Sequence, residues 1–218
     1  MKWMEKKYII TLIILAFVLA NYAQTTVNEF QGRTSAEIVF KPIKKLSLNF
    51  SPELRFDEDF SIDNYHFQLQ ADYKFSKVFK AGVRYRFVVN PKDVKETEYA
   101  SRYGLFLKFK KKFNDFTPYV RLSYTNDADE DIETERSNYI RYKAGMKYNI
   151  PKCKINPFIG LEAFQQLSGD GLYKMRYFAG AEYKLFKNNY IQAQYKFDYY
   201  RTSYTNKHIV SLTYKFKF

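Results

Sequence analysis

Apolar and polar residues alternate along most of this chain with a period of two. In the stretch 46–56, LSLNFSPELRF, Leu46, Leu48, Phe50, Leu54 and Phe56 share one parity; Ser47, Asn49, Ser51, Glu53 and Arg55 share the other. Successive side chains of a strand point to opposite faces, so such a segment is a strand with one greasy and one wet surface. The same alternation predicts strands at 32–41, 45–56, 63–75, 78–90, 98–110, 116–126, 137–149, 155–166, 172–186, 190–202 and 207–218. Most are longer than the roughly 5–6 residues of a soluble strand and suit a tilted strand crossing a membrane.

The connections between these strands are of two kinds. Short, Lys-rich ones at 42–45, 76–77, 111–115, 151–154 and 187–189 recur at roughly 35-residue intervals, which is a hairpin repeat. Longer or more acidic ones lie at 57–63, 90–98, 126–136, 167–172 and 203–207. Outer-membrane barrels combine short periplasmic turns with longer external loops. The expected fold is therefore all-β, an antiparallel transmembrane β-barrel of 10–12 strands. Eleven antiparallel strands cannot close simply, so twelve are favoured, with 25–31 as a short extra strand turning near Gly32. Alternatively that piece threads the lumen and leaves ten membrane strands with one atypical one. A lipocalin-like soluble barrel would show the same alternation inside out. Strand length, the two kinds of loop and the terminal Phe218 favour the membrane form.

The first residues read as a targeting segment. Lys2, Lys6 and Lys7 precede an apolar run from Tyr8 to Ala20. That run is too short to span a membrane and suits a secretory signal peptide. Cleavage after Ala23 gives a signal of 1–23 and an outer-membrane domain of 24–218; cleavage after Ala20 is the alternative. No later stretch reaches the ~20 apolar residues of a membrane helix.

Composition fits this picture. Aromatic residues make up 20 %, with 21 Tyr and 21 Phe, and barrels gather them in girdles at the membrane interfaces. The mean hydropathy of −0.50 suits a wall in which only alternate residues meet lipid. Cys153 is the only cysteine, which excludes an internal disulfide and a Cys-based zinc site within one chain.

The net charge of +13 is unevenly spread. Most lysines lie at or beside the short turns and the C-terminus (41–45, 74–80, 108–115, 147–154, 184–189 and 215–217), where Asp115 is the only acid. The loop 126–136 carries Asp127, Asp129, Glu130, Asp131, Glu133 and Glu135. The barrel is thus basic at the turn end, where lysines meet anionic lipid headgroups, and acidic at the other. A basic chain suggests nucleic acid, but here the basic residues are interleaved on the strands of an exported chain, which excludes it. The acidic loop lacks the Asp-x-Asp-x-Asp-Gly order of a calcium loop and reads as a solvated loop. No metal or cofactor is expected.

Arginine follows its own pattern. Arg55, Arg84, Arg86, Arg102, Arg121, Arg141 and Arg176 lie mid-strand on the polar face, with Glu53, Asp72, Glu162, Glu182 and Asp198. All would point into the lumen. Either these charges pair and fill a narrow barrel, or they line a water-filled pore whose surplus Arg favours anions. His66 and His208 are the only histidines. His66 lies on the polar face, in the strand after Ser51 and Glu53; His208 sits near the outer end of the last strand in the apolar register. The chain has no Gly-x-Ser-x-Gly, no His-Glu-x-x-His and no phosphate-binding Gly loop, and reads as a non-enzyme with a lipid-modifying activity as a remote alternative. A third class is a surface platform acting through loops 57–63 and 126–136.

The phrases Lys44-Lys45-Leu46-Ser47-Leu48, Glu53-Leu54-Arg55-Phe56, Ala71-Asp72-Tyr73-Lys74-Phe75, Arg84-Tyr85-Arg86-Phe87, Pro118-Tyr119, Asn156-Pro157-Phe158, Ala181-Glu182-Tyr183-Lys184 and Leu212-Thr213-Tyr214-Lys215-Phe216 resemble an uncharacterised family of Bacteroidota-type outer-membrane proteins, a domain of unknown function. The resemblance covers nearly all of 24–218. It implies an outer-membrane barrel and carries over no catalytic residue; the expected barrel is monomeric and in contact with outer-membrane lipid. Phe218 also resembles the terminal aromatic by which the barrel-assembly machinery recognises its clients.

Overall fold

A computed structural model describes residues 27–92, 96–126, 137–169, 171–201 and 205–218. Residues 1–26, which include the expected signal segment, and the acidic residues 127–136 lie outside them. Eleven strands follow in order: β1 (Val27–Ile43), β2 (Leu46–Phe56), β3 (Ile62–Lys74), β4 (Phe79–Asn90), β5 (Glu98–Lys110), β6 (Phe116–Thr125), β7 (Tyr139–Tyr148), β8 (Ile155–Gln166), β9 (Leu172–Phe186), β10 (Asn189–Tyr200) and β11 (Thr205–Lys217). Every strand foreseen from the alternation is present. They form one closed barrel, each strand paired with its chain neighbours.

The closure departs from expectation. Among the described residues there is no twelfth strand: residues 27–31 are the start of β1, which runs for 17 residues. β1 closes against β11 in parallel, from Val27 opposite Thr205 to Val39 opposite Lys217, while the other neighbours are antiparallel. One parallel seam is what an odd strand count requires, since alternating directions bring the first and last strands together pointing the same way. The seam ends in a hydrogen bond from the Phe218 N–H to the Val39 carbonyl, 2.8 Å.

The two kinds of connection sort to the two ends of the barrel. The Lys-rich turns join β1–β2, β3–β4, β5–β6, β7–β8 and β9–β10, and the longer loops join the remaining neighbours. In the tight β9–β10 turn Asn188 takes φ 66°, a left-handed conformation that Asn tolerates better than most residues.

Burial is inverted relative to a soluble barrel. Among the described residues nineteen polar or charged side chains are buried against nine hydrophobic ones. Val83, Leu105, Val120, Ile159, Leu161, Val210 and Leu212 point outward and are exposed. Stacked aromatic pairs lie outside as well, such as Phe75–Phe79 and Phe79–Phe109 near one turn and Phe116–Tyr148 near another.

Candidate functional site: the barrel interior

The alternation that greases the outside of each strand sends its partners inward. Glycines on the inner face make room for rings from the next strand. Gly82 lies opposite Phe106, Gly145 opposite Tyr119 and Gly160 opposite Phe178. A Cβ on Gly160 would meet the Phe178 ring at 2.3 Å and the Ala144 carbonyl at 2.4 Å. The rings therefore lie flat along the wall over glycine, a packing known to support glycine in sheets.

Cations rest on these rings. Lys143 Nζ is 4.3 Å from the Phe178 centroid, Lys108 Nζ is 4.8 Å from Tyr119, and the Arg121 guanidinium is 5.9 Å from Phe106. Phe164, fully buried, meets Arg141 at 4.4 Å, Lys174 at 4.8 Å and Arg176 at 5.2 Å. Cations over ring faces at such distances are attracted by the ring quadrupole.

Most of the expected inward residues are ion-paired or hydrogen-bonded. Glu162, 1 % exposed, gathers Arg141 at 3.0 Å, Arg121 at 3.3 Å and Lys143 at 3.6 Å. Asp198 accepts two 2.6 Å hydrogen bonds from the Arg176 fork and lies 3.1 Å from Lys174. Glu53 accepts from Arg55 at 2.8 Å, with Arg33 at 3.9 Å. Glu182 pairs with Lys147 and, at 3.6 Å, with Lys215, which also reaches Glu37 at 3.3 Å. Arg86 donates to Gln68 at 2.8 Å, and Asp72 accepts from Gln70 at 2.8 Å. Arg84 is half-buried across from Gly104, and Arg102 is buried. Each of these ion pairs joins strands at most two apart, so none bridges opposite walls.

Direct cross-strand partners around the interior form one continuous row. Lys74, Lys80, Lys108, Arg121 and Lys143 stand side by side on β3 to β7. The row continues through Glu162, Arg176, Asp198, Lys207 and Glu29 on β8 to β11 and β1, where the charges alternate in sign. Half the row thus alternates in sign, with ion pairs at Arg176–Asp198, 2.6 Å, and Lys207–Glu29, 3.2 Å, and half is a run of five cations.

Sequence reasoning missed Arg33, Lys143, Lys174 and Lys196, and assigned Lys80, Lys108, Lys147 and Lys215 to the basic rim because they lie close to turns. The structure turns these last four inward and leaves them half-buried. Their parity carried the signal: Lys80 shares a face with Arg84, Lys108 with Arg102 and Lys147 with Arg141. Lys44, Lys77, Lys112, Lys152 and Lys187 remain exposed at the turns.

The two histidines separate. His66 is buried opposite Glu53, Nδ1 4.0 Å from the carboxylate, and neither ring nitrogen has a hydrogen-bond partner. Ser51 donates its hydroxyl to Asn49 at 2.8 Å and not to His66. His208 points outward as expected. It stacks on Phe30 at 5.0 Å and hydrogen-bonds Tyr195 at 2.6 Å and Asn28 at 3.2 Å.

At the loop end, Asp57 accepts hydrogen bonds from the backbone N–H groups of Asp59 and Ser61 and from the Ser61 hydroxyl. The Ser61 hydroxyl bond, with the backbone donors, holds the exposed Asp57 carboxyl below the ordinary carboxylate range. Beside it a cavity of about 770 Å³ opens between Glu29, Glu58, Asp63, Asn90 and Lys207. Among the described residues no cluster of His, Cys, Asp and Glu has the geometry to hold a metal ion.

No curated protein matches the chain. A family model does, over residues 30–208, which span β1 to the start of β11. The chain belongs to that family, the proteins of unknown function described as DUF2490.

Proposed function

We propose that this chain is an exported outer-membrane β-barrel of narrow-pore type whose Arg- and Lys-lined lumen favours anions. One observation carries the reading: the wall presents apolar side chains outward and buries charge inward, the distribution a lipid-embedded barrel needs. The two-ended arrangement of turns and loops supports the same orientation, with turns and C-terminus on the periplasmic side.

The anion preference follows from the balance of inward charge. Arg84, Arg86, Arg102, Arg121 and Lys108 share the wall of β4 to β6 with the carboxylates Glu98, at the loop end, and Asp72 on β3. A charged lining of one sign sets selectivity in a narrow passage. A closed structural barrel is the second reading, favoured by Glu162 and Asp198, each sealed at 1 % exposure within its cations. Surface interaction through the outer loops rests on fewer observations.

Conductance of the refolded mature chain in a planar bilayer, with salt on both sides, separates the two readings. A steady anion-selective current that loses selectivity in the Arg84→Gln, Arg86→Gln, Arg121→Gln variant is the expected outcome. A silent barrel would overturn the pore reading and leave the closed one.

A further inference from the structure

The interior row of charges has a discontinuity that ion pairing does not resolve. From Glu162 onward each rung faces an opposite charge. From Lys74 to Lys143 five cations in succession face one another. Like charges directly opposite on neighbouring strands destabilise a sheet. Among the described residues only the upper two members of the run, Arg121 and Lys143, reach a carboxylate, and they share Glu162 with Arg141. Among the described residues Lys74, Lys80 and Lys108 have no carboxylate within ion-pair distance. Asp72, the carboxylate on the same stretch of wall, faces Gly82 across the β3–β4 pair and accepts from Gln70.

The run is built into the wall. Lys108, Arg121 and Lys143 are each laid on a ring, and each of those rings lies over an inward glycine. The platform holds the three heads along the wall and keeps bulk away from them. Arg121 and Lys143 retain 19 % and 20 % side-chain exposure, in contrast to Lys174 and Asp198 at 0 % and 1 %. Lys74 is the last residue of β3 and Lys143 lies mid-way along β7, so the cations climb from the turn-side rim to the middle of the interior. Five neighbouring strands at ~4.8 Å spacing span ~19 Å.

We propose that this run, Lys74–Lys80–Lys108–Arg121–Lys143, is a binding site for a polyvalent oxyanion of the phosphate class, entered from the turn end of the barrel. Lysine heads supply point charges, and Arg121 supplies a fork that matches phosphate oxygens. A ligand with several charged oxygens neutralises neighbouring rungs together, as a monovalent ion cannot. The phosphate belongs either to a soluble phosphorylated solute or to a lipid headgroup at the rim. The site holds whether or not the barrel conducts.

The test titrates the refolded mature chain, in zwitterionic detergent micelles at physiological ionic strength, with inorganic pyrophosphate by calorimetry. Saturable binding is expected, weakened about tenfold or more in the Lys80→Gln, Lys108→Gln variant and unchanged in Lys152→Gln, Lys187→Gln, which removes the same charge from exposed turns. Absence of saturation, or equal weakening in both variants, overturns the proposal. A second measurement needs no variant: pyrophosphate should protect Lys80 and Lys108 from acetylation while Lys152 stays reactive, and equal labelling with and without it overturns the site. In phosphatidylcholine vesicles containing phosphatidylglycerol, loss of pyrophosphate binding with Lys80 and Lys108 still protected assigns the site to headgroup phosphate; undiminished binding assigns it to a soluble anion. A silent barrel that binds pyrophosphate overturns the pore alone, and a conducting barrel that does not bind it overturns the site alone.

Discussion

Glu162 holds three cations from β6 and β7 at almost complete burial. Removing one member of such a group leaves uncompensated charge, so the cost is much larger than that of a surface pair. Glu162→Gln keeps the shape and removes the charge. Urea unfolding in micelles should show a loss of about 3–5 kcal/mol; a variant as stable as the parent would show that the carboxylate is not what holds Arg121, Arg141 and Lys143 together. Glu162 and its arginines were legible because period two puts them on one face. Lys80 and Lys108 obey the same parity, yet closeness to a turn suggested the rim. A long aliphatic stem suits either place near a turn, and parity along the strand is what decides the face. The pairing of His66 with Glu53 was beyond reach, since register between strands is not contained in either strand alone.

At the scale of elements, the hairpins were legible and the seam was not. Each hairpin is a local event, fixed by two alternating runs and a turn. The β1–β11 pair joins residues separated by nearly the whole chain, and no local signal gives its direction. Phe218 sits at the end of that seam. Its N–H bonds Val39, while its ring packs edge-on against Phe216 at 4.5 Å and Phe40 at 6.4 Å. Phe218→Ala keeps the backbone bond and removes the ring; deletion removes both. If the assembly machinery reads the ring, Phe218→Ala should slow insertion into vesicles that contain the machinery and leave unassisted refolding in micelles unchanged. Equal slowing in both settings would make the ring a clasp of the seam and not a recognition signal.

The whole molecule is a closed wall with inverted burial, and this was legible early because alternation, strand length and the two kinds of loop agree. What alternation alone could not give is which face is outside. Leu107 and Val120 are 41 % and 52 % exposed on the outer face. Arginine at either should cost about 2–4 kcal/mol in a bilayer if these residues lie at its midplane. Unfolding from vesicles measures it, and a variant as stable as the parent would place that face in water. The odd strand number has a consequence for descent. Hairpins are gained or lost two strands at a time, so no series of hairpin duplications connects this eleven-strand wall to an even one. A wall of even count, closed antiparallel throughout, differs from this one by at least one lone strand, and the parallel β1–β11 seam is what the odd strand imposes.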